Sequence, residues 1–317
     1  MLRYIAVRIL SLIPVLFVVS VVIFSLIYLT PGDPARVALG DTASEAQVQE
    51  LRESLGLNRP VVVQYFAWVG SALTGDLGES LFLRQSVAEA IGNHLKPTAW
   101  LGTFGMVIAL VISIPLGTLA ARFRGSWLDR FVAGFTLMGM AVPSFVLALI
   151  LILVFAVAWR VFPVAGYVDP GQDFLGGLRT LVLPAVALGA IMSALLTRTT
   201  RAAVLDVRNS DYVEAARSRG VGEGKLLFSN TLKNAGLPVL TVVGLSFGVL
   251  ITGSAVTETI FNIPGLGSLV INAISRRDYP VIQGVVLFVT LAYLLINLIV
   301  DLLYGVIDPR VRFGRSK

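Results

Sequence analysis

Six long apolar runs, none with a charged residue in its middle, restrict the fold of this chain more than any other feature. Crossing about 30 Å of hydrocarbon takes roughly 20 apolar residues as a helix, because lipid cannot satisfy an exposed backbone and a helix satisfies its own. The runs lie near residues 9–29, 98–121, 131–157, 180–197, 237–257 and 281–300. Composition agrees: 56% of the 317 residues are hydrophobic, 14% are charged, and mean hydropathy is +0.84. That is too apolar for an ordinary soluble domain. The expected fold class is all-α, a polytopic membrane protein with six transmembrane helices.

Several function classes lose their footing at once. The net charge of +6 could serve nucleic-acid binding, but the charges lie between the apolar runs and form no basic face with stacking aromatics. Without cysteine there is no disulfide framework or thiolate metal site, and a single histidine, His94, cannot build a closed ligand set. His94 is read as a surface residue. A membrane-embedded hydrolase would need a nucleophile with its base at a shared depth, and an ion-coupled carrier would need ionisable groups near the midplane. Neither pattern is present. No Gly-x-x-x-x-Gly-Lys-Ser/Thr loop cradles ATP phosphates, and no internal repeat is evident.

Orientation follows from lysine and arginine placement. Sixteen of these residues fall on one side, among them Arg3, Arg8, Arg122, Arg124, Arg130, Arg198, Arg201, Arg208, Arg217 and Arg219; nine, spread over longer segments, fall on the other. The first side is expected to be cytoplasmic, with both termini there. The first run follows a basic start but is too long for a signal peptide and shows no small-residue cleavage site, so a retained span is expected. The chain then divides into 1–30 with the first span, an external helical segment 31–96, a five-helix core 97–305, and a tail 306–317. In the external segment, Ser44-Glu45-Ala46-Gln47 starts a capped amphipathic helix ending at Gly56, and a second helix is expected over 61–73. The segment reads either as a cap over a pore or as a hairpin lying on lipid.

The loop 198–236 is far longer than a connection between neighbouring spans requires. Within it, Asp211-Tyr212-Val213-Glu214-Ala215-Ala216-Arg217-Ser218-Arg219-Gly220 predicts a short helix stopped by glycine, and Val221-Gly222-Glu223-Gly224-Lys225 turns the chain into a second helix. Such an elbow suits contact with a partner: Ala215 and Ala216 permit close approach, the polar side chains offer a surface, and Gly220 allows a sharp exit. A juxtamembrane helix whose arginines bind lipid headgroups is the blander reading.

Glu-Ala-Ala, three residues and then Gly resembles the signature loop of prokaryotic ABC import permeases. The continuation through Asn234-Ala235 to Pro238 resembles the dipeptide/oligopeptide/nickel branch of that family. Similarity runs end to end through Pro31-Gly32-Asp33-Pro34, Gly75-Asp76-Leu77-Gly78-Glu79-Ser80, Pro97-Thr98, Pro143-Ser144-Phe145, Phe162-Pro163-Val164-Ala165-Gly166, Leu183-Pro184-Ala185, Glu258 to Gly267, and Asp308-Pro309-Arg310. The resemblance implies a type I ABC importer permease fold in a bacterial or archaeal cytoplasmic membrane. It also implies a homologous second permease, two ABC ATPase subunits that bind ATP and Mg, and an extracytoplasmic solute-binding protein. No cofactor, metal or catalytic residue is expected on this chain. Residues 212 and 214–220 would couple it to the ATPase. The implied cargo is a di- or oligopeptide, with nickel, glutathione or an oligosaccharide as alternatives.

Some residues keep two readings. Glu258 near a membrane boundary either lines a solute path or pins its loop by pairing with Arg276 or Arg277. Pro143, Ser144 and Asn262 join it as candidate path or gate residues. Asn297 and Asp301, four apart on one helix face, read as packing or salt-bridging groups near the inner surface. Pro14, Pro115, Pro143 and Pro184 are either hinges or static bends.

Overall fold

A computed structural model describes residues 2–29, 33–39, 43–54, 56–80, 82–226 and 231–307. Pro31 and Gly32 of the first motif, residues 227–230, and the closing Asp308-Pro309-Arg310 with the tail from 308 lie outside the described residues. The helices are α1 (Leu2–Leu29), α2 (Pro34–Leu39), α3 (Glu45–Ser54), α4 (Val61–Leu73), α5 (Val87–Arg122), α6 (Trp127–Ala141) and α7 (Ser144–Leu151), which runs on as a π-helix to Ala158. Then come α8 (Phe174–Arg208), α9 (Asp211–Ser218), the single turn α10 (Glu223–Lys225), α11 (Leu232–Ile260), α12 (Leu266–Arg276) and α13 (Tyr279–Ile307). Strand pairing among the described residues is limited to an isolated bridge between Glu79 and Ser86.

By length and composition α1, α5, α8 and α13 can each cross a membrane. The expected third span is not one helix. It breaks at Val142-Pro143, and the two halves differ in direction by 101°. Pro143, with ψ 145, is the extended residue before α7, so backbone bonding stops there although the apolar run does not. The helices α1, α5 and α8 pass unbroken through Pro14, Pro115 and Pro184. The region expected as a fifth span lies in α11, 29 residues long, of which the described apolar stretch is Asn234–Gly248.

The chain forms two compact units. One comprises residues 1–96 and 264–295. Here α3 begins with the expected capping box: the Ser44 N–H donates to Gln47 Oε1 at 3.0 Å and the Gln47 N–H returns to Ser44 Oγ at 3.4 Å. Gly56, at φ +67, closes it. Against α1, α4 sets an aromatic cluster of Phe24, Tyr65 and Trp68, while Val62, Phe66 and Leu73 on its other side stay exposed. A small core joins Val87 and Ile91 of α5, Leu266 and Leu269 of α12, and Val281 and Val285 of α13.

The other unit, residues 97–263 and 296–317, is built on α8. Leu181, Leu188 and Leu196 of α8 are buried with Leu101 and Met106 of α5, Ala148 of α7 and Leu250 of α11. The α5–α8 crossing is set by absent side chains. A Cβ on Gly189 would come within 2.6 Å of the Gly105 carbonyl oxygen, and one on Gly117 within 2.8 Å of the Thr197 carbonyl oxygen. Close backbone approach of this kind substitutes for the hydrophobic drive that lipid removes.

Candidate functional site

The elbow begins where α8 ends. Ser210, extended at ψ 147, breaks the helix, and α9 starts at Asp211. Its inner face is Val213 and Ala216, three apart and buried together with Leu226 against Val207 and Val221. The opposite stripe, Asp211, Glu214, Ala215 and Ser218, is exposed. The two alanines therefore divide: Ala216 seats the helix on its own chain, and only Ala215 is presented outward.

Gly220 stops α9 as a left-handed residue at φ +79. Its N–H donates to the Arg217 carbonyl at 2.9 Å, and the Val221 N–H reaches back to the Ala216 carbonyl at 3.2 Å, a Schellman closure. Arg219 Nε closes on the Ala215 carbonyl at 3.2 Å. These bonds fix the exit direction of the chain into α10.

Two tethers hold the elbow to long helices, through Glu223 to α8 and through Tyr212 to α11. Arg217 Nε donates to Glu223 Oε1 at 2.8 Å, and Arg208 at the end of α8 approaches Glu223 Oε2 at 3.7 Å. Arg208 Nη1 also donates to the Arg122 carbonyl at 3.0 Å, capping the carbonyl end of α5. Asn234 Nδ2 at the start of α11 donates to the Tyr212 hydroxyl at 2.8 Å. The Arg217 guanidinium, aided by Arg208, holds the Glu223 carboxyl below its ordinary value. Nearby, Arg201 of α8 forks onto Asp129 of α6, Nε to Oδ1 at 2.6 Å and Nη2 to Oδ2 at 2.9 Å.

Sequence reasoning missed Arg208, Glu223 and Asp129 as anchors. Arg208 and Glu223 are 15 apart and Asp129 and Arg201 are 72 apart, so no helical periodicity pairs them. The signal available was a charged residue at or near each helix end.

The candidate path residues do not gather in one place. Pro143 and Ser144 line a cavity of about 310 Å³ with Met140 of α6, Leu188 and Met192 of α8 and Leu250 of α11. Glu258 is fully buried; the Thr98 hydroxyl donates to its Oε1 at 2.7 Å and the Ser254 hydroxyl to the same oxygen at 2.9 Å. Asn262 is exposed and left-handed at φ +51. His94 is half-buried, with Nδ1 2.7 Å from the Ala90 carbonyl oxygen. Among the described residues, no group of three or more His, Cys, Asp or Glu could hold a metal ion.

Residues 113–313 match the family described as the binding-protein-dependent transport system inner membrane component, and residues 1–93 match the N-terminal region of such components. A probable peptide ABC transporter permease protein, y4tP, of Sinorhizobium fredii is 43% identical over 98% of this chain and 99% of its own length. The glutathione transport system permease protein GsiC of Escherichia coli K12 is 40% identical over 99% of this chain and 100% of its own.

Proposed function

We propose a peptide-import role on one premise: the chain belongs to the binding-protein-dependent transport system inner membrane components. It is an integral membrane permease of an ABC importer. Its relatives are named for peptide and for glutathione, itself a small peptide, and a di- or oligopeptide is the cargo we assign. A solute-binding protein would deliver it on the outer side, with both termini of the permease in the cytoplasm.

One observation carries the docking part of this reading. The elbow of α9 and α10 is bonded to the ends of α8 and α11, and α8 in turn caps α5 through Arg208, yet its stripe of Asp211, Glu214, Ala215 and Ser218 remains exposed. A short rigid helix, anchored behind and open in front, suits a groove on an ATPase subunit. Two such subunits, binding ATP with Mg, would draw the elbows of this chain and a homologous partner permease together. The helices would then swing outward-facing, and hydrolysis would reset them. No nucleotide, metal or cofactor is assigned to this chain.

Peptide uptake into reconstituted vesicles tests the reading. Uptake is expected only when the ATPase subunits and ATP are present; uptake by this chain alone would sink it. Glu214→Lys reverses charge on the exposed stripe without touching Val213 or Ala216. It is expected to abolish co-purification of the ATPase while the chain still inserts in the membrane.

A further inference from the structure

We propose that a cavity in the unit of residues 1–96 and 264–295 is a binding site for a short peptide with free termini. The peptide class rests on the import reading above; the site itself rests on the cavity. Its volume is about 460 Å³, and Glu53, Arg59, Trp68, Asp76, Arg277 and Gln283 are among the residues that line it. That is the size of a small-molecule pocket, about 300–1,000 Å³.

The lining carries unspent polar capacity. Gln283 is 5% exposed, and its Nε2 has no hydrogen-bond partner. A buried amide donor left unbonded is costly, and a slight turn of this side chain toward the cavity would give it a ligand acceptor. Arg59, Arg277, Glu53 and Asp76 take part in no ion pair among the described residues. Two guanidiniums suit a carboxylate, two carboxylates suit an ammonium, and the Gln283 amide suits a peptide carbonyl. The indole of Trp68 supplies an apolar face.

The walls hold their shape without a ligand. Gln64 Nε2 donates to the Leu57 carbonyl at 3.1 Å and the Arg59 carbonyl at 2.7 Å, fixing the loop that carries Arg59. The Tyr28 hydroxyl donates to Gln64 Oε1 at 2.5 Å and ties that loop to α1. Opposite in sequence, the Ser80 hydroxyl donates to Asp278 Oδ2 at 2.5 Å, and a Cβ on Gly284 would meet Val87 Cγ1 at 2.4 Å. Arg277 is held left-handed at φ 56 at the end of α12. Preorganised walls with unpaired charges of both signs fit a zwitterion better than a simple anion. The chain segments involved are those that the positive-charge pattern assigns to the outer side, where solute arrives.

Trialanine binding to the full chain, reconstituted in nanodiscs of phosphatidylglycerol alone, tests this. Saturable binding is expected, and N-acetyl-trialanine amide, lacking both charges, should bind at least about tenfold more weakly. Arg277→Gln and Glu53→Gln, both at exposed positions, should each weaken trialanine by about tenfold with an unchanged melting temperature. Gln283→Leu should weaken both peptides. Absence of saturation, equal binding of the capped peptide, or wild-type affinity in Arg277→Gln and Glu53→Gln would each overturn the proposal. Loss of trialanine binding on adding phosphatidylethanolamine would overturn it too, by making the cavity a headgroup site. ATP-driven trialanine uptake by the full importer, measured in parallel, separates the two readings. Uptake without binding defeats the cavity alone; binding without uptake defeats the import reading alone.

Discussion

Glu223 shows how one side chain can organise a surface it does not belong to. It accepts from Arg217 on α9 and lies near Arg208 on α8, so its charge holds the elbow to the helix before it. The Arg217 hydrogen bond lowers its pKa from the ordinary 4.5. A carboxyl depressed in the folded state contributes stability that is complete above its unfolded value and is lost as pH falls through the lower folded value. Proteolytic protection of the elbow should therefore be flat near neutrality and fall below pH 4.5. The pair is half exposed, so the effect is small. Glu223→Gln should start less protected at neutral pH and lose the acid transition; full protection in that variant would remove Glu223 from the tether. The sequence marked residues 212 and 214–220 but gave no sign of this residue's role, because its partners come from different helices. Glu258 was visible as an ionisable group near a boundary, whereas its hydroxyl partner Thr98 lies 160 residues away.

At the scale of elements, hydropathy marked the four helices long enough to cross a membrane, α1, α5, α8 and α13, but not their ends. It detects the lipid-facing length only, so the run at 180–197 emerges as the middle of α8, which starts at Phe174 and ends at Arg208. The Asp173 carboxylate accepts the Gly176 N–H at 3.0 Å, and this polar cap lies outside any apolar window. The bend of 101° at Val142-Pro143 is invisible to hydropathy, since both halves are apolar, and only Pro143, one of four prolines read as hinges or bends, marked it. Local signals did better where backbone chemistry decides: α3 begins at its capping box, α4 spans Val61–Leu73 as expected, and Gly220 ends α9. What remained hidden was helix pairing. Small residues were legible as composition, but the pairing of Gly117 with Thr197 and Thr200 needs the fold. Gly117→Val would force α5 and α8 apart, because a Cβ there already meets Thr200 Cβ at 2.7 Å and backbone at 2.8 Å. The expected cost is about 1–3 kcal/mol, read as a lower melting temperature in detergent. Gly102→Val on the same helix, where a Cβ meets nothing within 4 Å, is the control and should leave the melting temperature near wild type.

For the whole molecule, docking and transmission should separate. The exposed stripe of α9 faces outward, while Arg208, Glu223 and the Tyr212–Asn234 bond lie behind it and lead to α5, α8 and α11. On the proposed docking, a fault in the stripe would break contact with the ATPase, whereas a fault behind it would leave contact intact and lose the path by which movement of α9 reaches the spans. Arg208→Ala removes the cap on the α5 carbonyls and the approach to Glu223 together, yet alters no residue of the stripe. The variant should co-purify with the ATPase as wild type does and hydrolyse ATP, with peptide uptake per ATP reduced by about tenfold, the scale of one charged hydrogen bond. Arg208→Lys keeps the charge near Glu223 without the guanidinium fork and should fall between them. Asn234→Ala cuts the tether to α11 and should lower the same ratio without changing ATPase binding. If Arg208→Ala instead loses ATPase binding in step with uptake, the elbow is one cooperative surface and the division into an outward docking face and an inward lever fails. If uptake per ATP is unchanged, the guanidinium only steadies the loop, and force must enter the helices through the buried contacts of Val213 and Ala216.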